Sequence, residues 1–546
     1  MSNHLSSRAA SVGPPRRYCR RLLHAAGIGV ALLFAGCTTV GPDFVQPESP
    51  AITKWQAADG KVLLPDTTEQ MRWWEAFGDP VLGKLVETAY RNNYGLKVAG
   101  LRVLEARAQL GIAVGYLYPQ VQQLNGGVTY TAASKNAANT AGGDLYFREY
   151  NVGAGIGWEL DFWGKYRRAI ESADAALLAS IAAYDNALVL LVAQVADTYV
   201  LIRTVEEQLR VAQDNVVLQQ NSVRISEARF RGGDVDELDV LQARTQLLAT
   251  QATLPQLDIA LQQSRDALSV LLGQPPGGLA AYLGPTPGMI PAPPQALATG
   301  APAELLRRRP DIRQAELAAA AQSAAVGVAA ADLYPSFGLT GFLGVVAADG
   351  TNTTRTGNSG PGQLFKSDSL TFIGGPYFSW NIFNYGRIRN NVRVQDARLQ
   401  QALENYQGTV LNAVKEVEDN MVAFLRGREQ EQILAQSEIA ARRSLKIANV
   451  RYQEGYSDFQ RVLDAQTALL KAQRDSVSAR SATASSAIGI YRALGGGWEI
   501  RSGQDFVDSA TKETMQRRTD WGDLLQREAT EPPLKGTGSG WPAPDW

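Results

Sequence analysis

The stretch "VRYQEGYSDFQRVLDAQ" (residues 450–466) reads as a helix that stops at a glycine-centred turn and then resumes. Its counterpart, "ARFRGGDVDELDVLQAR" (residues 228–244), stands 222 residues earlier. The correspondence extends well beyond the turn. Residues 158–273 align with 380–495 without a gap, setting Trp158 against Trp380, Gly164 against Gly386, Arg167 against Arg389, Tyr184 against Tyr406, Gly233 against Gly455 and Leu272 against Leu494. Upstream, "GYLYPQ" (115–120) meets "ADLYPS" (331–336) at an offset of 216. The chain is a tandem duplication, and each half is expected to build an equivalent part of a symmetric object.

Working outward from the turns, the segment from Arg167 to Phe230 contains neither Pro nor Gly and is rich in Ala, Leu, Gln, Glu and Arg. As one helix it would reach about 95 Å at ~1.5 Å per residue, far beyond an ordinary globular helix. Its apolar residues form two stripes, Val189, Val192, Ala196 and Val200 beside Leu188, Leu191, Val195 and Tyr199. One stripe suits a helix lying on a core, whereas two suit a helix gripped on both sides, as in the wall of a tube or inside a bundle. The second half repeats the long helix over residues 387–453. Shorter helices are expected over 236–272 and 458–494, with others near 81–116 and 303–330.

Ahead of each long helix the period changes to two. In "YNVGAGIGWELDFWG" Tyr150, Val152, Ala154, Ile156, Trp158, Leu160 and Phe162 fall on one face, and Gly153, Gly155, Gly157, Glu159 and Asp161 on the other. Large apolar residues opposite glycine and acid match a strand with lipid outside and water inside, and a half-buried soluble strand would alternate similarly. The partner strand follows Pro119 across a polar loop at 132–143. "PSFGLTGFLGVV" and "LTFIGGPYFSWNIF" repeat the pair around a loop at 351–362. Four strands cannot close, and open edges leave backbone groups unpaired in hydrocarbon, so a membrane-spanning sheet requires several chains.

The N-terminal segment carries a basic region (Arg16, Arg17, Arg20, Arg21), a short apolar run (25–34) and small residues before Cys37, as a secretory signal does. The ending "FAGC" resembles the bacterial lipobox, which implies a lipoprotein signal peptide at 1–36 and Cys37 as the acylated N-terminus; an ordinary cleavage site with a leftover Cys is the plainer reading. Both histidines, His4 and His24, and Cys19 lie inside this segment. The mature chain then lacks His bases, thiol nucleophiles, His or Cys zinc sites and disulfides. Removing five Arg and no acid leaves 48 basic against 54 acidic residues, a net charge of −6. No basic stripe points to nucleic acid, and no glycine-rich phosphate loop, cofactor site or metal site is apparent.

"GCTTVGPDFVQP", "WWEAFGDPVLGKLV", "WELDFWGKYR", "RRPDIRQAE", "LYPSFGLTG" and "RYQEGYSDFQRVLDAQ" together resemble the TolC-like outer membrane efflux channel family, in its lipoprotein (OprM/NodT-type) branch. The likeness runs from the lipobox to "YRALGGGW" (491–498). It implies a mixed, mainly α fold: a long periplasmic α-helical barrel plus an outer-membrane β-barrel, four strands per protomer and twelve in a homotrimer. It implies an export duct that is no enzyme and has no cofactor. Its partners would be outer membrane lipid, a periplasmic adaptor (membrane fusion) protein and an inner-membrane pump of the resistance-nodulation-division (RND) type, the last favoured by "RPDI" and the lipobox. Gly232, Gly233 and Gly455 would form the adaptor-docking hairpin tips. Asp464 matches an acidic residue lining the closed periplasmic mouth, and Tyr452 and Asp239 match a pair tying the second hairpin to the first. Nearby, Gln460 and Thr467 stand where the branch can carry Leu and Arg, and Arg461 where the non-lipidated branch carries Asp. A solvated helix charge beside Arg461 is the plainer reading of Asp464.

The expected division is a signal at 1–36, a lipid-anchored segment at 37–78, repeats at 79–273 and 303–497, and a Pro/Gly-rich linker at 274–302. The tail, 498–546, is expected to be poorly ordered. A non-conducting lipoprotein scaffold and a type I protein secretion duct are the alternatives.

Overall fold

The computed structural model describes residues 39–48, 54–57, 63–64, 71–136, 144–284, 288–298, 308–350 and 360–525. Cys37 and the signal segment lie outside them, as do most of the two strand-connecting loops. The helices are α1 (Pro80–Asn92), α2 (Tyr94–Gly115), α3 (Lys165–Gly232), α4 (Glu237–Gln251), α5 (Thr253–Leu271), α6 (Pro310–Ala331), α7 (Arg387–Gln453), α8 (Phe459–Ala493) and α9 (Ser509–Arg518). The long strands are β1 (Val121–Ala132), β2 (Tyr146–Leu160), β3 (Ser336–Gly350) and β4 (Leu370–Ser379). The repeat reads through to the element bounds: α3 and α7 both start at the same aligned position, as do α4 and α8.

At 68 and 67 residues, α3 and α7 each span about 100 Å at ~1.5 Å per residue. Every residue expected in the two stripes of α3 is buried. The helix packs against α2 and α6 along one half and against α4, α5 and α8 along the other. The short helix of the first repeat is broken at Ala252, where the sequence suggested one continuous helix. Pro255 has no N–H to return to Gln251, so the ladder restarts as α5; α8 has Val477 at that position and runs unbroken.

The four strands form one antiparallel sheet in the order β1-β2-β3-β4, with the repeats joined through β2 and β3. One face carries Val128, Leu124, Tyr150, Val152, Ile156, Leu343 and Phe372, and the other Gln123, Asn125, Thr129 and the glycines of β2. The large apolar members of the first face are solvent-exposed or half-buried. Trp158 and Trp380 close the strands onto the helices in matching fashion, donating to Leu117 O at 3.2 Å and Leu333 O at 3.1 Å. Asp161, expected on the polar strand face, lies past the strand end. Its carboxylate accepts from Tyr166 N and Arg167 N at 3.0 Å each, fixing the entry to α3.

The main core gathers where the two halves of the helical region meet. Trp73 stacks on Tyr491 at 5.3 Å, surrounded by Trp74, Leu82, Leu85, Tyr199 and Ile202. The tail belongs to this core as far as Leu525, contrary to the expectation of disorder. Phe506, Val507, Met515 and Leu525 are buried in it, and Arg501 forms a two-pronged ion pair with Asp185 of α3, both nearly sealed from solvent. The tail's polar and glycine-rich composition hid these few apolar anchors. Residues 526–546 lie outside the described part.

Candidate functional site

Both hairpin tips are built by the same local chemistry. The first long helix ends when Gly233 turns left-handed at φ 77°, and the second when Gly455 does at φ 78°. Gly233 N donates to Phe230 O and Asp234 N to Arg229 O, at 3.0 Å each. Gly455 N to Tyr452 O (3.1 Å) and Tyr456 N to Arg451 O (2.8 Å) repeat the pattern, a Schellman stop that a side chain at the glycine would strain. Gly232 sits at the tip as the last helical residue. Asp236 and Asp458 then cap the returning helices, accepting from Leu238 N at 3.1 Å and Arg461 N at 3.4 Å.

The two hairpins are joined at Tyr452. Its hydroxyl donates to Asp239 Oδ2 at 3.1 Å and meets Ser226 Oγ at 3.3 Å. Arg229 lies over its ring at 4.7 Å and donates to its carbonyl, while Phe459 packs edge-on at 5.3 Å. Burial, followed by the nearby Asp239 carboxylate, pushes the phenol pKa upward, so it remains a proton donor at neutral pH. Leu445, Val462, Ala465 and Leu469 complete a small apolar cluster around it.

Behind this junction runs a ladder that the sequence reading did not single out. Ser222 accepts from Gln466 Nε2 at 2.6 Å, and Gln473 Oε1 accepts from Asn215 at 2.7 Å, both buried between α3 and α8. Farther up, Thr204 donates to Ser481 at 2.8 Å and Arg480 to Glu207 at 3.1 Å. A visible signal existed, since 215 and 222, like 466 and 473, are polar residues seven apart, at heptad spacing on helix faces that also carry Val211, Val462 and Leu469.

Asp464 is exposed at the hairpin-tip end of α8. It accepts from Gln460 Nε2 at 2.7 Å, one turn earlier, rather than pairing with Arg461. "RPDI", read as a sign of the partner, is a structural clamp here. Pro310 opens α6, and Arg309 is buried between Asp311 (2.6 Å), Glu416 (3.0 Å) and Ala493 O (2.7 Å).

At the opposite end of the helices, residues 39–43 lie against the strand–helix junction. Val40 N donates to Trp163 O at 3.0 Å and Arg168 pairs with Asp43 at 2.6 Å. Gly41 crosses Gly327 so closely that a methyl group on it would come within 2.3 Å of the Gly327 Cα. Trp163 stacks on Tyr334 at 4.6 Å, an aromatic pair at the base of the sheet.

A lipid-facing sheet fragment on two very long helical hairpins defines an outer-membrane channel protein. The outer membrane efflux protein family model matches residues 85–274 and 301–496, one stretch in each repeat, and the chain belongs to this family. The chain is 31% identical over 490 residues to the pyoverdine export outer membrane protein OpmQ of Pseudomonas putida, covering 88% of this chain and 98% of that protein. It is 30% identical over 473 residues to the cation efflux system protein CusC of Escherichia coli, with coverages of 86% and 98%. Among solved structures, the outer-membrane channel OprN superposes with a TM-score of 0.78 at 33% identity, over 84% of this chain and 99% of that one. The Campylobacter jejuni CmeC outer membrane channel gives 0.75 at 25% identity, over 88% and 98%. The protein is an outer-membrane efflux channel, and its family members are channels rather than enzymes.

Proposed function

We propose that three copies of the chain close a twelve-stranded barrel and a continuous helical tube, forming a passive duct for small molecules delivered by an inner-membrane pump. The observation that carries this reading is a difference between the repeats. Val189, Val200 and Val211 of α3 are 3%, 0% and 4% exposed, while their aligned partners on α7, Leu411, Val422 and Ile433, are 58%, 50% and 66% exposed. The second repeat covers the first, whereas among the described residues the α7 face bearing Leu411, Val422 and Ile433 is left exposed. A neighbouring copy presenting α2, α4 and α5 supplies the missing cover, and the free edge of its β1 pairs with β4. Lipid would penalise each unpaired edge group by several kcal/mol, so the sheet needs that closure. Three is the number the family resemblance implies.

The hairpin tips dock the periplasmic adaptor of an RND-type pump, and Tyr452, Asp239 and Asp464 form the gate. The Tyr452–Asp239 bond holds the second hairpin to the first, and Asp464 lines the mouth. Relatives at 30–31% identity are named for pyoverdine, toluene and cations, which fits a duct whose pump selects the cargo. Cys37 is acylated. It lies three residue steps before Val40, a reach of about 10 Å, which sets the acyl chains beside the Trp163–Tyr334 pair at the membrane surface. Intact mass of the mature protein tests the lipid: unmodified Cys37 would refute it. Single-channel recording in a planar bilayer tests the duct. Discrete conductance that rises on Tyr452→Phe is expected, and absence of any conductance would favour a non-conducting scaffold.

A further inference from the structure

The duplication also specifies chemistry at the seam between copies. Within the chain, the α3–α8 seam is fastened by Glu207, which accepts from Arg480 at 3.1 Å and Arg210 at 2.7 Å, with Thr204 bonded to Ser481 just above. The 222-residue offset carries Glu207 to Glu429, Arg480 to Asp258, Arg210 to Gln432 and Thr204 to Arg426. α3 and α7 start at aligned positions and α5 and α8 end at aligned positions, so past the break at Ala252 the α7–α5 seam between copies takes the same register. There it sets two carboxylates, Glu429 and Asp258, where the internal seam sets an acid and a base.

The missing cation has moved one turn. Arg426 donates from Nη1 to both carboxylate oxygens of Glu429, at 2.9 and 2.8 Å, and its side chain is largely exposed. Asp258 is exposed and makes no ion pair within the chain among the described residues. A guanidinium has five N–H donors on a planar fork and can serve two carboxylates at once. We propose that Arg426 bridges Glu429 of its own chain and Asp258 of the neighbouring copy, an exposed three-membered clasp replacing the half-buried Glu207–Arg480 pair. This rests on the assembly proposed above. Around the tube, three internal seams would then be fastened by buried polar groups and three seams between copies by salt-sensitive charge, so high salt loosens the assembly without unfolding its chains.

The test uses the full-length mature protein in detergent. Arg426→Glu should speed dissociation of the assembly in moderate salt by roughly tenfold, three exposed pairs each contributing about twofold. Adding Asp258→Arg should restore most of the loss, which a merely structural role for Arg426 would not allow. Independently, Glu429→Cys with Asp258→Cys should be joined between chains by a short bismaleimide, and neither single variant should be. An intact trimer by native mass spectrometry with no crosslink and no rescue overturns the clasp while leaving the assembly standing. A monomeric wild-type protein overturns the assembly and the clasp with it. If the Arg426→Glu chain fails to fold, the crosslink alone decides.

Discussion

Val200 and Val422 occupy the same turn of two nearly equal helices, yet one is sealed and the other half-exposed. The difference teaches that a repeated sequence need not find repeated surroundings within one chain. The first long helix is completed by the second repeat, and the second long helix is left for another molecule. Val200→Ala should therefore weaken the folded chain, and Val422→Ala should weaken only its association.

The largest effect expected lies on the completed side. Arg501→Ala would take from Asp185, which is 2% exposed, the guanidinium that pairs with both of its carboxylate oxygens. A buried pair broken on one side costs about 3–5 kcal/mol, read as a lower midpoint in denaturant for every copy regardless of assembly. Unchanged stability would return the tail to a peripheral role.

Tyr452→Phe comes next, losing a charge-assisted bond of about 1.5–3 kcal/mol while keeping the ring beneath Arg229. Resting conductance should rise, and the chain should still fold because the apolar cluster is intact. The valine comparison follows. Val200→Ala should cost about 2 kcal/mol of chain stability, while Val422→Ala should leave chain unfolding in place and shift only the concentration at which copies dissociate. Equal effects on both would show that the two environments are alike in solution.

The smallest effect is at Asp464. Three copies around an axis repel by roughly 0.7 kcal/mol per pair at ~6 Å in water-like surroundings. Asp464→Asn should reduce cation preference and block by divalent cations without changing stability. Unaltered selectivity would reduce Asp464 to a solvated residue held by Gln460.

Much of this was legible in the chain because it was written twice. The fixed offset located both turns, and the 64 residues without Pro or Gly fixed the long helix to within two residues at each end. The alternation in β2 found the strand, although it ran two residues too far, through Asp161 and Phe162, since a capping acid mimics the next polar position. Tyr452 and Asp239, paired only by resemblance, do meet at 3.1 Å. What escaped was long-range and unrepeated. Asp185 and Arg501 are 316 residues apart, and the tail has no counterpart in the first repeat to reveal its role. Arg229, which holds Tyr452 from above, aligns with Arg451, and nothing in the one-dimensional pattern distinguishes which arginine points inward.

Native mass spectrometry of the mature protein, released gently from detergent, tests most directly whether the bare face of the second repeat is completed by other copies. Three chains, each carrying the added mass of acyl groups on Cys37, are expected to leave together. A protein that flies as a single chain, with its strands still formed, would contradict the account.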